Sequence, residues 1–243
     1  MSAATKPGKG PRWYFSFRSP YSWMAYRELT ENHPEIADTI EWIPSWNPDE
    51  LTEKTLADRG IRLPFVAMSR EKDFYILQDT ARLTKARGWQ MRWPVDRDPH
   101  WEVAHLAYLL AVDAGQGRAF ADKVYQARWE RGENISDREL IGRIGGEVGL
   151  DPERVATAAD DPALRERGVA GLARGHKDGV FGVPFFVAGR DKFFGVDRFR
   201  AYVAVLGGAE LSDPSDQSWL GAIADRADLE VPQQDAGHAG GCG

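Results

Sequence analysis

Hydrophobic positions near the start of the chain predict a strand, a helix and a second strand. Residues 12–17 are dense in aromatic side chains, which favours a strand. Ser19 and Pro20 supply an N-cap residue and a proline at the first helical position, and this helix is expected to end before Pro34. Residues 39–44 alternate between apolar and polar side chains, which predicts the second strand. The handedness rule then favours a right-handed unit with two parallel strands.

The middle of the chain, from about residue 65 to residue 172, carries helical patterns. Three Asp-Pro pairs predict helix starts, with caps at Asp98, Asp151 and Asp161. Ser136 opens a capping-box sequence ahead of apolar residues at helical spacing. Residues 101–110 are apolar almost all round, so we interpret His105 within them as a hydrogen-bonded core histidine.

The last third of the chain returns to strands. Residues 185–189 and 192–195 are apolar runs on either side of a turn, and they predict a hairpin. Asp197 is placed to cap a last helix over residues 198–206. The order of elements is therefore β-α-β, a helical block, and β-β-α, which predicts an α/β unit of two layers split by an all-helical insertion.

Composition restricts the function classes. The chain has 243 residues, of which 42% are hydrophobic, enough for a sizeable core. Its 31 Lys and Arg against 37 Asp and Glu give a net charge of −6, which argues against sequence-independent binding of nucleic acid. There is no apolar run of membrane-spanning length and no apolar signal-peptide core, so we expect a cytoplasmic protein with no membrane partner.

Cysteine usage is informative because the chain has one cysteine, Cys242. A single thiol cannot form an internal disulfide, and no Cys/His cluster offers zinc-ligand spacing, so no metal site is predicted. Any thiol chemistry must therefore take its sulfur from a small molecule.

Three separated motifs now carry a resemblance to a known family. They lie in residues 14–23, 129–137 and 179–198. Together they resemble the thioredoxin-like superfamily, in the branch with a helical insertion. That branch holds the 2-hydroxychromene-2-carboxylate isomerases and the kappa-class glutathione transferases, and it is related to the bacterial disulfide oxidoreductase A family.

The resemblance implies a domain organisation. The thioredoxin-like domain would comprise residues 12–64 and 173–207, and the all-helical insertion domain residues 65–172. Residues 1–11 and 208–243 would be tails, the second partly disordered, although residues 220–229 could also form a short docked helix.

The resemblance also gives the first motif a chemical meaning. Oxidoreductase members carry Cys-x-x-Cys where this chain has Ser19-Pro20-Tyr21-Ser22, so a dithiol cycle cannot run here. The start of a helix can lower the pKa of a thiol, and a bound cofactor thiol would feel the same field. The implied catalytic role of Ser19 is to donate a hydrogen bond to that thiolate; the alternative is a plain helix cap. Ser22 either packs locally or serves the site.

The closing motifs imply the cofactor site. Val183-Pro184 resembles the superfamily's cis-proline segment, whose backbone binds a thiol-bearing peptide. Asp197 resembles the residue that holds the γ-glutamyl amino group of glutathione, a role compatible with a helix cap. Val196 stands where a polar residue is common, and Phe185 and Arg18 are also unusual for the family. The expected cofactor is glutathione or another low-molecular-weight thiol.

The substrate pocket is expected between the thioredoxin-like unit and the insertion. Its candidate residues are Arg18, Tyr21, Ser22, Trp46 and Trp129, with Trp89 and Trp93 as further aromatic candidates. Arg18 either stabilises an anion, as thiolate or substrate carboxylate, or is a solvated charge.

Three functions follow from this resemblance. The first is a thiol-dependent isomerase of the 2-hydroxychromene-2-carboxylate isomerase type, acting on an aromatic or conjugated small molecule. The second is a glutathione transferase or dehalogenase, and the third is a non-catalytic binding protein that kept the fold. The family is also compatible with a homodimer.

Overall fold

The computed structural model describes residues 10–64 and 69–208. Its four strands are β1 (Arg12–Phe15), β2 (Glu41–Pro44), β3 (Phe185–Ala188) and β4 (Asp191–Phe194). They form one mixed sheet in the order β2-β1-β3-β4. Strand β1 is parallel to β2 and antiparallel to β3, and β3 and β4 form an antiparallel hairpin. The predicted parallel pair and the predicted hairpin are both confirmed.

The two central strands, β1 and β3, are buried along their whole length, whereas β2 and β4 begin with the exposed residues Glu41 and Asp191. On one face, Trp13 and Phe15 join the large core that also contains Phe186. On the other face, Tyr14 and Val187 belong to a smaller cluster. Strand alternation therefore places consecutive residues of β1 in two different cores.

Helices make up most of the remaining described chain. Their bounds are α1 Pro20–Asn32, α2 Pro34–Thr39, α3 Glu50–Asp58, α4 Arg70–Arg87, α5 Glu102–Asp113, α6 Gly117–Tyr125, α7 Arg138–Glu147, α8 Pro152–Ala156, α9 Pro162–Asp178 and α10 Phe199–Leu206. A π-helical turn, Gln126–Glu130, continues α6, and 3-10 turns occupy Ala158–Asp160 and Val196–Arg198. Within the described ranges, no helix combines the length and the apolar character needed to cross a membrane.

The predicted helix caps are partly confirmed. Asp151 and Asp161 each cap a helix whose first residue is the following proline. The prediction at Asp98 is wrong, because α5 begins only at Glu102 and Asp98 has φ +44° in the left-handed region. An Asp-Pro pair can serve a turn as well as a helix start, and here it serves the turn.

The cap of α7 is displaced by one residue from the prediction. Asp137 is the N-cap, and its side chain accepts hydrogen bonds from the backbone N–H groups of Glu139 and Leu140. Ser136 instead accepts a hydrogen bond from the backbone N–H of His100 at 2.9 Å. The capping-box prediction at Ser136 is therefore corrected, because this hydroxyl ties α7 to the segment before α5.

Helix α9 links the helical block to the sheet. At its start it packs near α5, where Gly168 lies against Leu106 and Trp46. Towards its end, Gly171 faces Ile43 of β2 and Gly175 faces Tyr14 of β1. The domain bounds at residues 64 and 172 stay predictions, as do the tails. The proposed helix over residues 220–229 and Cys242 lie outside the described residues.

Candidate active site

The turn from β1 into α1 places Ser19 at the start of a helix of 13 residues. Its Oγ accepts a hydrogen bond from the backbone N–H of Ser22 at 3.2 Å, and Pro20 occupies the first helical position. Ser19 is therefore an N-cap, as predicted. The first N–H groups of such a helix carry a partial positive charge, which favours an anion placed at this end.

The loop before β3 lies directly opposite this helix start. The Val183–Pro184 peptide bond is cis. Ser19 Oγ donates a hydrogen bond to the Val183 carbonyl oxygen at 3.4 Å, a long and therefore weak bond. The Pro184 carbonyl accepts a hydrogen bond from the Gly195 N–H at 2.9 Å. Two of the predicted cofactor residues, Val183 and Pro184, thus border Ser19.

Side chains of the helical insertion hold the backbone of the β1–α1 turn. His105 Nε2 accepts a hydrogen bond from the Phe17 N–H at 3.1 Å, and His105 Nδ1 lies 2.6 Å from the Trp101 carbonyl oxygen. An acceptor at Nε2 and a carbonyl at Nδ1 assign the neutral tautomer with its proton on Nδ1. Trp129 Nε1 donates to the Phe17 carbonyl at 2.9 Å. The residue before Arg18 and Ser19 is therefore fixed on both its N–H and its C=O.

Burial sets the protonation of His105. The side chain is fully buried, and this burial lowers its pKa to about 3. Its ring also stacks on Trp46, with centroids 5.1 Å apart. His105 is a hydrogen-bonded core histidine, as the sequence predicts, and its particular task is to position the turn that presents Ser19.

A cavity of about 250 Å³ lies beside Ser19. Its walls come from the start of α1, from α4, from the segment before α5 and from the π-helical turn, and they comprise Arg18, Ser19, Pro20, Tyr21, Asp73, Ile76, Leu77, Trp93, Asp96, Arg128 and Trp129. The volume is close to the lower end of small-molecule sites, about 300 Å³. Ser19 itself is 1% exposed, whereas Leu77 and Trp93 are each 42% exposed. The serine therefore lies deep in the cavity, and the two apolar side chains lie towards solvent.

The aromatic wall predicted from the tryptophans is present in part. Trp93 and Trp129 both line the cavity and meet edge to face, with centroids 5.3 Å apart. Trp129 belongs to the π-helical turn, a kind of distortion that is frequent at functional sites. Trp89 instead packs against Trp23, with centroids 5.8 Å apart.

Other predicted pocket residues are distributed unevenly. Tyr21 lines the cavity, and its hydroxyl donates to Asp79 Oδ2 at 2.8 Å. Ser22 is fully buried, and its Oγ accepts a hydrogen bond from the Ser16 N–H at 3.3 Å. Trp46 is buried too, and its Nε1 donates to Glu102 at 3.1 Å. Ser22 and Trp46 are not among the residues that line the cavity beside Ser19. Trp46 instead lines a smaller cavity of about 20 Å³, together with Arg18 and Val183.

Arg128 is a buried cation that the sequence did not single out. It is 2% exposed, and its guanidinium makes two hydrogen bonds to Asp96, at 2.8 and 2.9 Å. It also lies over the rings of Trp101 and Trp129, 4.9 and 5.0 Å from their centroids. The motif that begins at Trp129 drew attention to this segment, but nothing in the sequence indicated that the adjacent arginine is buried.

Arg18 is the second cation of the cavity. It is half-buried and lies 5.6 Å from the centroid of the Trp101 ring. Burial, and then the nearby charge of Arg128, lower the pKa of Arg18 from its ordinary value. Phe185, another residue that is unusual for the family, is buried against Phe181 and Phe194 and is not part of the cavity wall.

The remaining predicted cofactor residues lie on the 3-10 turn before α10. Val196 is buried in the large core, and Asp197 is exposed. The predicted helix cap at Asp197 is wrong, because the N-cap position of α10 is Arg198 and no side chain caps that helix. Gly195 has φ +92°, a backbone conformation that favours glycine, and a Cβ there would also lie 2.6 Å from an Asp197 carboxylate oxygen.

Among residues 10–64 and 69–208, no group of three or more His, Cys, Asp or Glu side chains is arranged to hold a metal ion. The functional groups around the cavity that could take part in binding or catalysis are a hydroxyl at a helix start, two guanidinium groups, two carboxylates and an aromatic wall.

Comparison with known proteins places this geometry in a family. The profile of the DSBA-like thioredoxin domain matches residues 12–207. The chain belongs to the DSBA-like thioredoxin domain family. Its fold is accordingly thioredoxin-like with a helical insertion, as predicted.

Particular relatives of this DSBA-like chain are isomerases and oxidoreductases. It is 25% identical over 186 residues to a 2-hydroxychromene-2-carboxylate isomerase from Sphingobium xenophagum, which covers 76% of this chain and 91% of the relative. A solved structure of a 2-hydroxychromene-2-carboxylate isomerase superposes with a TM-score of 0.64 at 19% identity, covering 88% of this chain and 98% of that one. A probable DsbA oxidoreductase from Streptomyces coelicolor gives a TM-score of 0.59 at 18% identity, covering 84% and 92%.

Proposed function

We propose that this chain is a thiol-dependent isomerase of the 2-hydroxychromene-2-carboxylate isomerase type, acting on an aromatic or conjugated small molecule. The observation that carries the proposal is the position of Ser19. Its hydroxyl caps α1, faces the cis Val183–Pro184 segment and forms part of an aromatic-walled cavity. The curated relative of that name supports the reaction class.

The nucleophile is a borrowed thiol, glutathione or another low-molecular-weight thiol. A sulfur at the start of α1 would experience the partial positive charge of that helix, which favours thiolate over thiol. Ser19 would turn its proton from the Val183 carbonyl to the sulfur. Because the present bond is 3.4 Å long, little energy is lost in that change, and a hydrogen bond to a charged sulfur replaces it.

The proposed reaction uses reversible addition of the thiolate. The sulfur lone pair forms a bond to the β-carbon of a conjugated carbonyl, and the electron pair of the double bond moves to the carbonyl oxygen as an enolate. The former double bond is then single and rotates. When the enolate electron pair returns, the double bond reforms in the other geometry and the sulfur leaves as thiolate, so the cofactor is regenerated.

The peptide part of the cofactor is assigned to the edge of the site. The backbone at Val183 would pair with a γ-glutamyl-cysteinyl-glycine chain in the manner of an added strand. The exposed Asp197 carboxylate would receive the amino group of the glutamyl unit. Val196 is buried and apolar, so it contributes packing beneath this turn and no polar contact.

A direct test is to bind glutathione and follow the thiolate absorbance of the complex as the pH is varied. The proposal predicts that the pKa of the bound thiol falls from about 8.5 towards the range of about 3.5–7.5. No binding, or a thiol pKa unchanged from solution, contradicts the use of glutathione. Thiol consumption during turnover identifies a transferase, whereas an isomerase leaves the thiol concentration constant.

A further inference from the structure

The two arginines of the cavity differ in their partners. Arg128 has its charge matched by Asp96 through two hydrogen bonds. Among the residues that the structure describes, no carboxylate lies within ion-pair distance of Arg18. Asp73 and Asp96 act on the Arg18 charge only from further away. Arg18 is thus a cation without an ion pair, on the wall that also carries Ser19.

The surroundings of Arg18 make such a charge costly in the empty cavity. The side chain is half-buried, and a desolvated charge is unfavourable unless an opposite charge or hydrogen bonds compensate it. The like charge of Arg128 adds to this cost. The Trp101 ring holds the guanidinium by a cation–π contact, so its position does not depend on a bound anion. These are the properties of a preorganised anion site, and an anion entering the cavity would relieve the cost.

We propose that Arg18 anchors an anionic oxygen of the conjugated molecule that the bound thiol attacks. The inference rests on the proposed function, because it uses the same cavity and the same reaction. Two groups could supply this anionic oxygen, and a guanidinium would bind either of them in the same way. It belongs either to a carboxylate that the molecule brings with it, or to the enolate that forms when the sulfur adds to the β-carbon. In the second case, the guanidinium stabilises charge that develops during the reaction.

The neighbouring carboxylates favour one orientation of the ligand. Asp73 lies on α4, on another element of the cavity wall, and Asp96 is committed to Arg128. Asp73 would repel an anionic oxygen and Arg18 would attract it, so we expect the negative end of the ligand at the Arg18 guanidinium. Its flat apolar part then meets Ile76, Trp93 and Trp129.

Binding of cinnamate, a flat conjugated carboxylate, is compared with that of its neutral amide, cinnamamide, in the absence of thiol. Calorimetry gives the affinities for the full chain and for Arg18→Gln and Arg18→Lys. Arg70→Gln is the matched control, because Arg70 lies over the Phe74 ring at 5.3 Å and is not part of the cavity wall. A second assay follows glutathione addition to the neutral enone 4-phenyl-3-buten-2-one.

If the oxygen belongs to a carboxylate, the full chain should bind cinnamate more tightly than cinnamamide. Arg18→Gln should bind cinnamate about 10-fold or more weakly than the full chain, and the affinity of Arg18→Lys should be intermediate. If the oxygen belongs to the enolate, Arg18→Gln and the unaltered chain should bind cinnamate equally. Addition of glutathione to the neutral enone should then be about 10-fold or more slower in Arg18→Gln. Either result supports the proposal if Arg70→Gln behaves as the unaltered chain. The proposal is overturned if Arg18→Gln changes neither assay, or if both Gln variants lose equally. Because the cinnamate assay contains no thiol, a failure of thiol binding is seen separately.

Discussion

Ser19 Oγ lies 3.4 Å from the carbonyl oxygen of Val183, although 164 positions separate the two residues in the chain. This contact joins the helix start that carries the hydroxyl to the cis-proline segment that would bind a thiol peptide. Neither segment contains a cysteine. In the proposed function, these two segments receive the sulfur of a bound thiol, and the cavity beside Ser19 receives the second molecule.

The buried His105 should make stability depend on pH. The unfolded chain takes up a proton at this residue near pH 6.5, whereas the folded chain, with its pKa lowered to about 3, does not. The unfolded state therefore binds more protons between these values, and stability falls as the pH is lowered through that window. The expected loss in the free energy of unfolding between pH 7.5 and pH 5 is about 2 kcal/mol.

Urea unfolding of the full chain and of His105→Gln at the two pH values measures this effect. The variant should be less stable at pH 7.5, because the Phe17 N–H loses the acceptor at His105 Nε2. It should not show the further decrease in the free energy of unfolding that protonation of His105 causes between pH 7.5 and pH 5. Equal pH dependence in both proteins would contradict the assignment of a buried neutral histidine.

The ion pair in the cavity wall should be worth more than a similar pair on the surface. Asp96→Asn leaves the 2% exposed Arg128 without its anion and should lower the free energy of unfolding by about 2–3 kcal/mol. Asp160→Asn is the matched control, because Asp160 also makes two hydrogen bonds to one arginine, Arg138, at the surface. Its cost should stay below about 1 kcal/mol. Equal costs in denaturant unfolding would show that Arg128 is not effectively buried.

Two glycines of α9 should respond oppositely to alanine. A Cβ on Gly168 would lie 2.7 Å from Leu106 and 2.9 Å from Trp46, so Gly168→Ala must displace the indole that stacks on His105. The expected cost is about 1–2 kcal/mol. At Gly171 the nearest atom would be 3.7 Å away, so Gly171→Ala should be neutral or stabilise by up to about 1 kcal/mol through helix propensity. Thermal unfolding of both variants checks the difference in sign.

The sequence predicts the elements well where local signals decide them. Aromatic density at β1, the serine and proline at the start of α1 and the turn between β3 and β4 all act within a few residues. The helix caps predicted at Asp98 and Asp197 are wrong for a related reason. An aspartate is common both at helix caps and in turns, and only the surrounding chain decides between the two.

The site is less predictable because its walls come from distant segments. The motifs identified Ser19 and the Val183–Pro184 segment, whose local sequences are distinctive. Arg128 carried no such signal, because a charged side chain is expected at the surface, and its burial depends on Asp96 and on two indole rings that the fold brings together. Trp46 and Ser22 were plausible by residue type, but neither lines the cavity beside Ser19.

The pKa of glutathione bound to Ser19→Ala is the measurement that tests the proposed thiol site most directly. Ser69→Ala is the control, because Ser69 caps α4 in the same way, accepting from the Lys72 N–H at 3.3 Å, but is not part of the cavity wall. Both variants should lose about 1 kcal/mol of stability as helix caps. The account predicts that Ser19→Ala raises the pKa of the bound thiol by about one unit or more, while Ser69→Ala leaves it unchanged. If the pKa of the bound thiol is the same in both variants and in the unaltered chain, the proposed hydrogen bond from Ser19 to the thiolate is contradicted.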